Sequence, residues 1–151
     1  MAMTISGAGV EPETSRHEIF ATEDAPADPL LVLVVGRSRI NAVVVSKIVE
    51  RSGLHPVSES PERAEDFLRR RQPVLVILDG GGANADCEKL MSPLGKIRQA
   101  AGRPAVILLS TGNFAEVAPA HSSIVDAVVS KPILPELLQP VVDRFVSRAS
   151  T

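Results

Sequence analysis

Three side chains able to do chemistry sit at the same kind of place in this sequence, the end of an apolar run. Pro73-Val74-Leu75-Val76-Ile77-Leu78 leads into Asp79, Pro104-Ala105-Val106-Ile107-Leu108-Leu109 into Ser110-Thr111, and the stretch from Ile124 to Val129 into Ser130-Lys131-Pro132. A carboxylate, a hydroxyl and an ammonium sharing one pocket form a kit for phosphoryl transfer. The carboxylate attacks and becomes an aspartyl phosphate, the hydroxyl donates to a phosphoryl oxygen, and the ammonium neutralises the charge that develops. Ser110 is the first choice for the hydroxyl and Thr111 the second. Each residue has a plainer reading. Asp79 could cap the loop Gly80-Gly81-Gly82, Ser110 could bond to backbone, and Lys131 could lie on the surface. The combination favours a shared cleft. A buried carboxylate without a partner is too costly to be core filler, so Asp79 must be paired or must face solvent.

The elements that would position these groups follow from the pattern of the chain. Apolar runs bounded by Pro and Gly read as strands buried on both faces, which occur in parallel sheets covered by helices. Leu30 to Val35 is such a strand and ends at Gly36-Arg37-Ser38-Arg39. Ser38 caps a helix running to about Arg51, with Ile40, Val43, Val44, Lys47 and Ile48 at helical spacing and Gly53 as its stop. A short strand over Leu54–Ser58 precedes a helix opened by Pro61, whose stripe is Ala64, Phe67 and Leu68 and whose end is Arg69-Arg70-Arg71. Further helices are expected from about Asp86 to Gln99, over Phe114–Ala120, and from Pro135 to Arg148. The last has Leu137, Leu138, Val141, Val142 and Phe145 inward. Five strands alternating with five helices imply a parallel sheet built from βαβ crossovers. In the strand order 2-1-3-4-5, the ends carrying Gly36-Arg37, Asp79, Ser110 and Lys131 converge, and ligands of open α/β sheets collect at that edge.

Composition narrows the functional classes. The 151 residues are 44% hydrophobic but only 3% aromatic, with no Trp or Tyr, and the net charge is -2. Nothing here builds a stacking platform or a basic surface for nucleic acid, and Arg69-Arg70-Arg71 reads as a solvated helix end. Residues 1–28 hold six acids and one base, which leaves +3 for the rest. This acidic leader is expected to be a disordered tail, with Glu18-Ile19-Phe20 its only docking segment, and 29–149 a single domain. The one cysteine, Cys87, excludes an internal disulfide framework and reads as filler. His17, His55 and His121 lack metal-ligand spacing. Gly80-Gly81-Gly82 lacks the Lys-Ser/Thr ending of a nucleotide loop. No apolar run reaches membrane-spanning length and no secretory signal opens the chain, so a cytoplasmic location is expected.

From Leu30 to Arg148 the sequence resembles the receiver domains of two-component response regulators. The resemblance rests on Asp79 after an apolar strand, Ser110 and Lys131-Pro132, at spacings that suit the family. It implies a flavodoxin-like (βα)5 doubly wound fold. Asp79 then stands at the phosphoacceptor position, Ser110 is the switch hydroxyl and Lys131 the family's lysine. The departures are equally specific. Receivers carry an acidic pair after the first strand that holds Mg²⁺, and here Gly36 and Arg37 stand there. Ala83 replaces a frequent proline, and Val128 occupies the aromatic switch position. The expectation is an atypical receiver with no bound cofactor, Mg²⁺ entering only through residual binding at Asp79, and weak or absent metal-dependent phosphorylation. Arg37 is expected to fold over the cleft and pair with Asp79. The implied partners are a histidine kinase or phosphotransfer protein, a downstream target, or a second copy. The face for these contacts is formed by the helix at 114–120, the strand at 124–129 and the final helix. With three residues after Arg148, the chain reads as a stand-alone domain and not an enzyme. The alternative is an anion or small-molecule binder using the Gly36-Arg37-Ser38-Arg39 loop. A phosphatase ranks last, for want of a second acid, base or metal set.

Overall fold

The computed structural model of the chain describes residues 27–80, 88–110 and 124–150. Five strands form one sheet: β1 (Ala27–Val35), β2 (His55–Glu59), β3 (Gln72–Asp79), β4 (Ala105–Ser110) and β5 (Ala127–Ser130). Every neighbouring pair is parallel and the order is β2-β1-β3-β4-β5, as expected. Helices α1 (Arg39–Arg51), α2 (Pro61–Arg70), α3 (Glu88–Ala101) and α4 (Pro135–Ser150) cover its faces. Residues 1–26 of the tail expected over 1–28, Cys87, the loop beyond Gly80 and the helix expected at 114–120 lie outside the described residues, while Ala27 and Asp28 belong to β1.

Alternation along each strand divides the core in two. Leu31, Leu33, Val35, Val76, Leu78, Val106 and Leu108 pack with Ala64, Phe67 and Leu68 of α2 and Leu90, Leu94 and Ile97 of α3. Val32, Val34, Leu75, Ile77, Ile107 and Leu109 pack with Val45, Ile48 and Val49 of α1 and Leu138 and Val142 of α4. Side chains two apart on a strand share a face. Gly36, Asp79 and Lys131 therefore continue, in phase, the side covered by α1 and α4.

Several details differ from expectation. β5 starts at Ala127 and not at Ile124, and Leu137 of α4, read as inward, is 47% exposed. β1 starts at Ala27, three residues ahead of its apolar run. The Asp28 carboxylate accepts the Leu30 N–H at 3.0 Å and the Arg71 guanidinium at 3.2 Å, and Asp28 stands in register with Pro73. Helix α1 is also rotated from its predicted stripe. Ile40 and Val43 are 77% and 54% exposed, while Val45, Ile48 and Val49 are buried. The first turn of α1 follows the end of β1, and no described residue covers Ile40. Position 41, four before Val45 and seven before Ile48, lies on the buried stripe instead.

Candidate functional site

The crevice lies outside the carboxyl ends of β1 and β3, where the chain order reverses about β1 and where such folds place their ligands. β3 is buried along its whole length. Its last residue, Asp79, is itself only 6% exposed, so its charge needs internal partners. It has two, one to each oxygen. Lys131, just past β5, donates from Nζ to Oδ1. Asn41, in the first turn of α1, donates from Nδ2 to Oδ2 at 2.8 Å. The lysine is the partner the sequence pattern predicts; the asparagine is not.

The signal for Asn41 was present in the sequence but weak: a polar residue in phase with Val45, Ile48 and Val49. Its position is secured from below. Ser38 caps α1 as expected, its Oγ accepting the Asn41 backbone N–H at 3.2 Å. The same residue thus receives the cap through its backbone and holds Asp79 through its side chain.

Gly36 matters for what it lacks. A Cβ built there would stand 2.9 Å from the Asp79 Cβ and 3.2 Å from the Asp79 carbonyl oxygen. The end of β1 approaches Asp79 so closely that only glycine fits without a shift of the backbone.

Arg37 departs from its expected role. It turns away from Asp79 and pairs with Glu62 in the first turn of α2, both groups exposed. The Arg37 guanidinium holds the Glu62 carboxyl below the usual carboxylate range. The physical reason is alternation. Arg37 is out of phase with Gly36 and Asp79, and Glu62 offers a carboxylate at the helix N-terminus in water, whereas both Asp79 oxygens are already engaged.

Ser110 ends β4 on the same edge of the sheet and is buried. Leu109, not Ser110, is the register partner of Asp79, and Ser110 is in phase with Val106 and Leu108. No hydrogen bond joins Ser110 to Asp79. The Ser110 carbonyl accepts the Lys131 backbone N–H at 2.9 Å, which fixes where the lysine leaves the sheet. Thr111 lies outside the described residues. Asp126 anchors the approach to β5. It accepts both Arg98 nitrogens, at 2.9 and 3.1 Å, and the Val106 N–H at 2.7 Å, while Arg98 also reaches the Ile124 carbonyl at 2.6 Å.

Mg²⁺ in a site of this class is held by one or two carboxylates together with phosphate oxygens and water. The residues here do not fit it. Each oxygen of Asp79 already has a nitrogen donor, Gly36 brings no side-chain oxygen and no room for a side chain, and Arg37 brings a positive charge. No cluster of three or more metal-ligating side chains occurs among the described residues.

Neither a scan against protein-family models nor a search of curated proteins gives a match to the sequence. Solved structures do match. A response regulator from Thermotoga maritima is 23% identical with a TM-score of 0.63, the match covering 78% of this chain and 97% of that one. The signal receiver domain of a Luxo repressor protein from Vibrio parahaemolyticus is 21% identical with a TM-score of 0.66, covering 80% and 92%. The signal receiver domain of a signal transduction histidine kinase from Syntrophus aciditrophicus is 22% identical with a TM-score of 0.61, covering 78% and 90%. At such identities the fold is what is shared: this chain has the fold of response regulator receiver domains.

Proposed function

We propose that this chain is a receiver-type module of two-component signal transduction that works by contact with other proteins. The observation that carries this reading is the meeting of Asp79 and Lys131. They come from different strand ends of the receiver fold and join in one buried pair at the carboxyl edge. Asp79 takes the phosphoacceptor position, Lys131 the place of the charge-neutralising cation, and Ser110 the switch position at the neighbouring strand end. With no second carboxylate beside Asp79 among the described residues and a donor on each Asp79 oxygen, phosphoryl transfer to Asp79 is weak or absent. The module is then an adaptor, not an enzyme. Its partners are a histidine kinase or phosphotransfer protein, a downstream target, or a second copy. β5 and α4 are the described part of this contact face, and exposed Leu134 and Leu137 lie at the start of α4. A cytoplasmic setting suits this role, and no described helix is long and apolar enough to cross a membrane.

Incubation with acetyl phosphate and Mg²⁺ followed by intact mass measurement tests the proposal. The expected result is a phosphoryl adduct on at most a minor fraction, absent in Asp79→Asn. Rapid stoichiometric labelling would make this an ordinary receiver. A label that survives Asp79→Asn would remove Asp79 from the phosphoacceptor position.

A second reading is favoured by one groove. About 530 Å³ in volume, it runs between α1 and β2 and is lined by Arg39, Lys47 and Arg63 as well as Glu50, Glu59 and four serines. Those three cations make no ion pair among the described residues, which leaves them available to an anion. A thermal-shift screen of nucleotides, flavins and phosphate separates this reading from the first. Stabilisation lost in Arg39→Ala or Arg63→Ala would favour it.

A further inference from the structure

We infer that Asn41 occupies the place where a divalent cation would bear on Asp79, and that this side chain keeps the cleft free of metal. The inference deepens the receiver reading and rests on it for why a cation would matter there. The argument itself is geometric. Asp79 is buried and has two oxygens. Lys131 bonds to Oδ1 and the Asn41 amide sits on Oδ2 at 2.8 Å, so a cation approaching the Oδ2 side would meet that amide. An ionised carboxylate only accepts, so the asparagine must turn its NH₂ toward it. That amide supplies part of the positive potential a metal would supply, without an ion and without a change in net charge.

The placement of Asn41 is fixed. Its backbone N–H is bonded to the Ser38 cap, and Val45, Ile48 and Val49 bury the same stripe of α1. A cation entering from the side of β1 would find the glycine approach, 2.9 Å from the Asp79 Cβ even for a methyl group, and no oxygen ligand. Gly36 and Arg37, standing where a receiver has its acidic pair, bring no carboxylate to a metal. Asn41 explains how the buried carboxylate is satisfied without one, and among the described residues it marks a position from which a second carboxylate would face Oδ2 directly.

Titration with Mn²⁺, followed by water-proton relaxation, and with Mg²⁺, followed by thermal shift, tests this on the full chain. The variants are Asn41→Asp, Asn41→Ser and the double change Asn41→Asp with Asp79→Asn. The wild-type protein should show no saturable response at low-millimolar metal. Asn41→Asp places two carboxylates against one another, an arrangement that favours a cation between them. It should gain saturable binding and a metal-dependent rise in thermal midpoint, and the double change should abolish both. Asn41→Ser, which removes the amide without adding charge, should gain a weaker response and serves if the aspartate variant folds poorly. Saturable wild-type binding that is lost in Asp79→Asn overturns the inference. So does an absence of gain in both folded single variants, which would put the exclusion of metal elsewhere. These readouts do not depend on phosphorylation. Failure of acetyl phosphate to label Asp79 and failure of this inference are separate results.

Discussion

Replacing Lys131 with methionine puts the central pair to a quantitative test. Methionine keeps most of the apolar stem and removes the ammonium, so Asp79 would retain only the Asn41 amide. Removing one partner of a fully buried ion pair costs about 3–5 kcal/mol, mostly as the penalty of the stranded charge. Here the side chains of Asp79 and Lys131 are 8% and 18% exposed, so water reaches the lysine end of the pair. The remaining amide and that access reduce the expected cost to about 2–3 kcal/mol. For a domain of this size that corresponds to a fall in thermal midpoint of roughly 6–12 °C. Urea denaturation at neutral pH gives the free energy directly. The decisive arm is the double variant. Adding Asp79→Asn to Lys131→Met removes the stranded charge, so it should recover more than 1 kcal/mol of the loss by the coupling expected for groups in contact. If Lys131→Met is neutral or stabilising, or if the two changes simply add, the pair does not hold this edge of the sheet and the reasoning fails.

Two further perturbations probe the supports of the site. Gly36→Ala forces a methyl group against the Asp79 Cβ and carbonyl oxygen, at 2.9 and 3.2 Å, and should cost about 1–3 kcal/mol in urea denaturation. A change within about 0.5 kcal/mol would show that the end of β1 yields freely. Asp126→Asn leaves one oxygen to serve three donors and turns an NH₂ toward one of them, so it should cost about 1.5–3 kcal/mol. It should also speed hydrogen exchange at the Val106 amide. Unchanged exchange there would deny Asp126 its role in fastening β5.

What the sequence disclosed and what it withheld divide along physical lines. Burial on both faces demands continuous apolar runs, so β1, β3 and β4 stood out, and with them the strand order and the meeting of Asp79 and Lys131. The Ser38 cap and the stripe Ala64, Phe67, Leu68 were legible for the same reason: one local pattern determines each. β5 starts three residues later than its apolar run suggests because the Asp126 carboxylate, which an apolar pattern does not register, fastens this approach to Arg98 and to the Val106 N–H of β4. The rotation of α1 was hidden because its first turn follows the end of β1. Exposed Ile40 and Val43 there look like core residues until the end of the sheet is located. Asn41 was overlooked because a lone polar residue on an apolar stripe gains meaning only from a partner 38 positions away. Arg37 was assigned to Asp79 by proximity along the strand end. The period of two along a strand, applied one residue further, would have pointed it away.

The close approach of Gly36 to Asp79 also constrains how such a cleft can change over generations. An acid restored at position 36 would meet the Asp79 side chain before it met a metal ion. The single substitution that looks like a reversion therefore begins with a penalty, and its benefit appears only after β1 has shifted or Asn41 has given way. The fitness effect of any change at 36 depends on the state of 41 and 79, which is epistasis written as an interatomic distance.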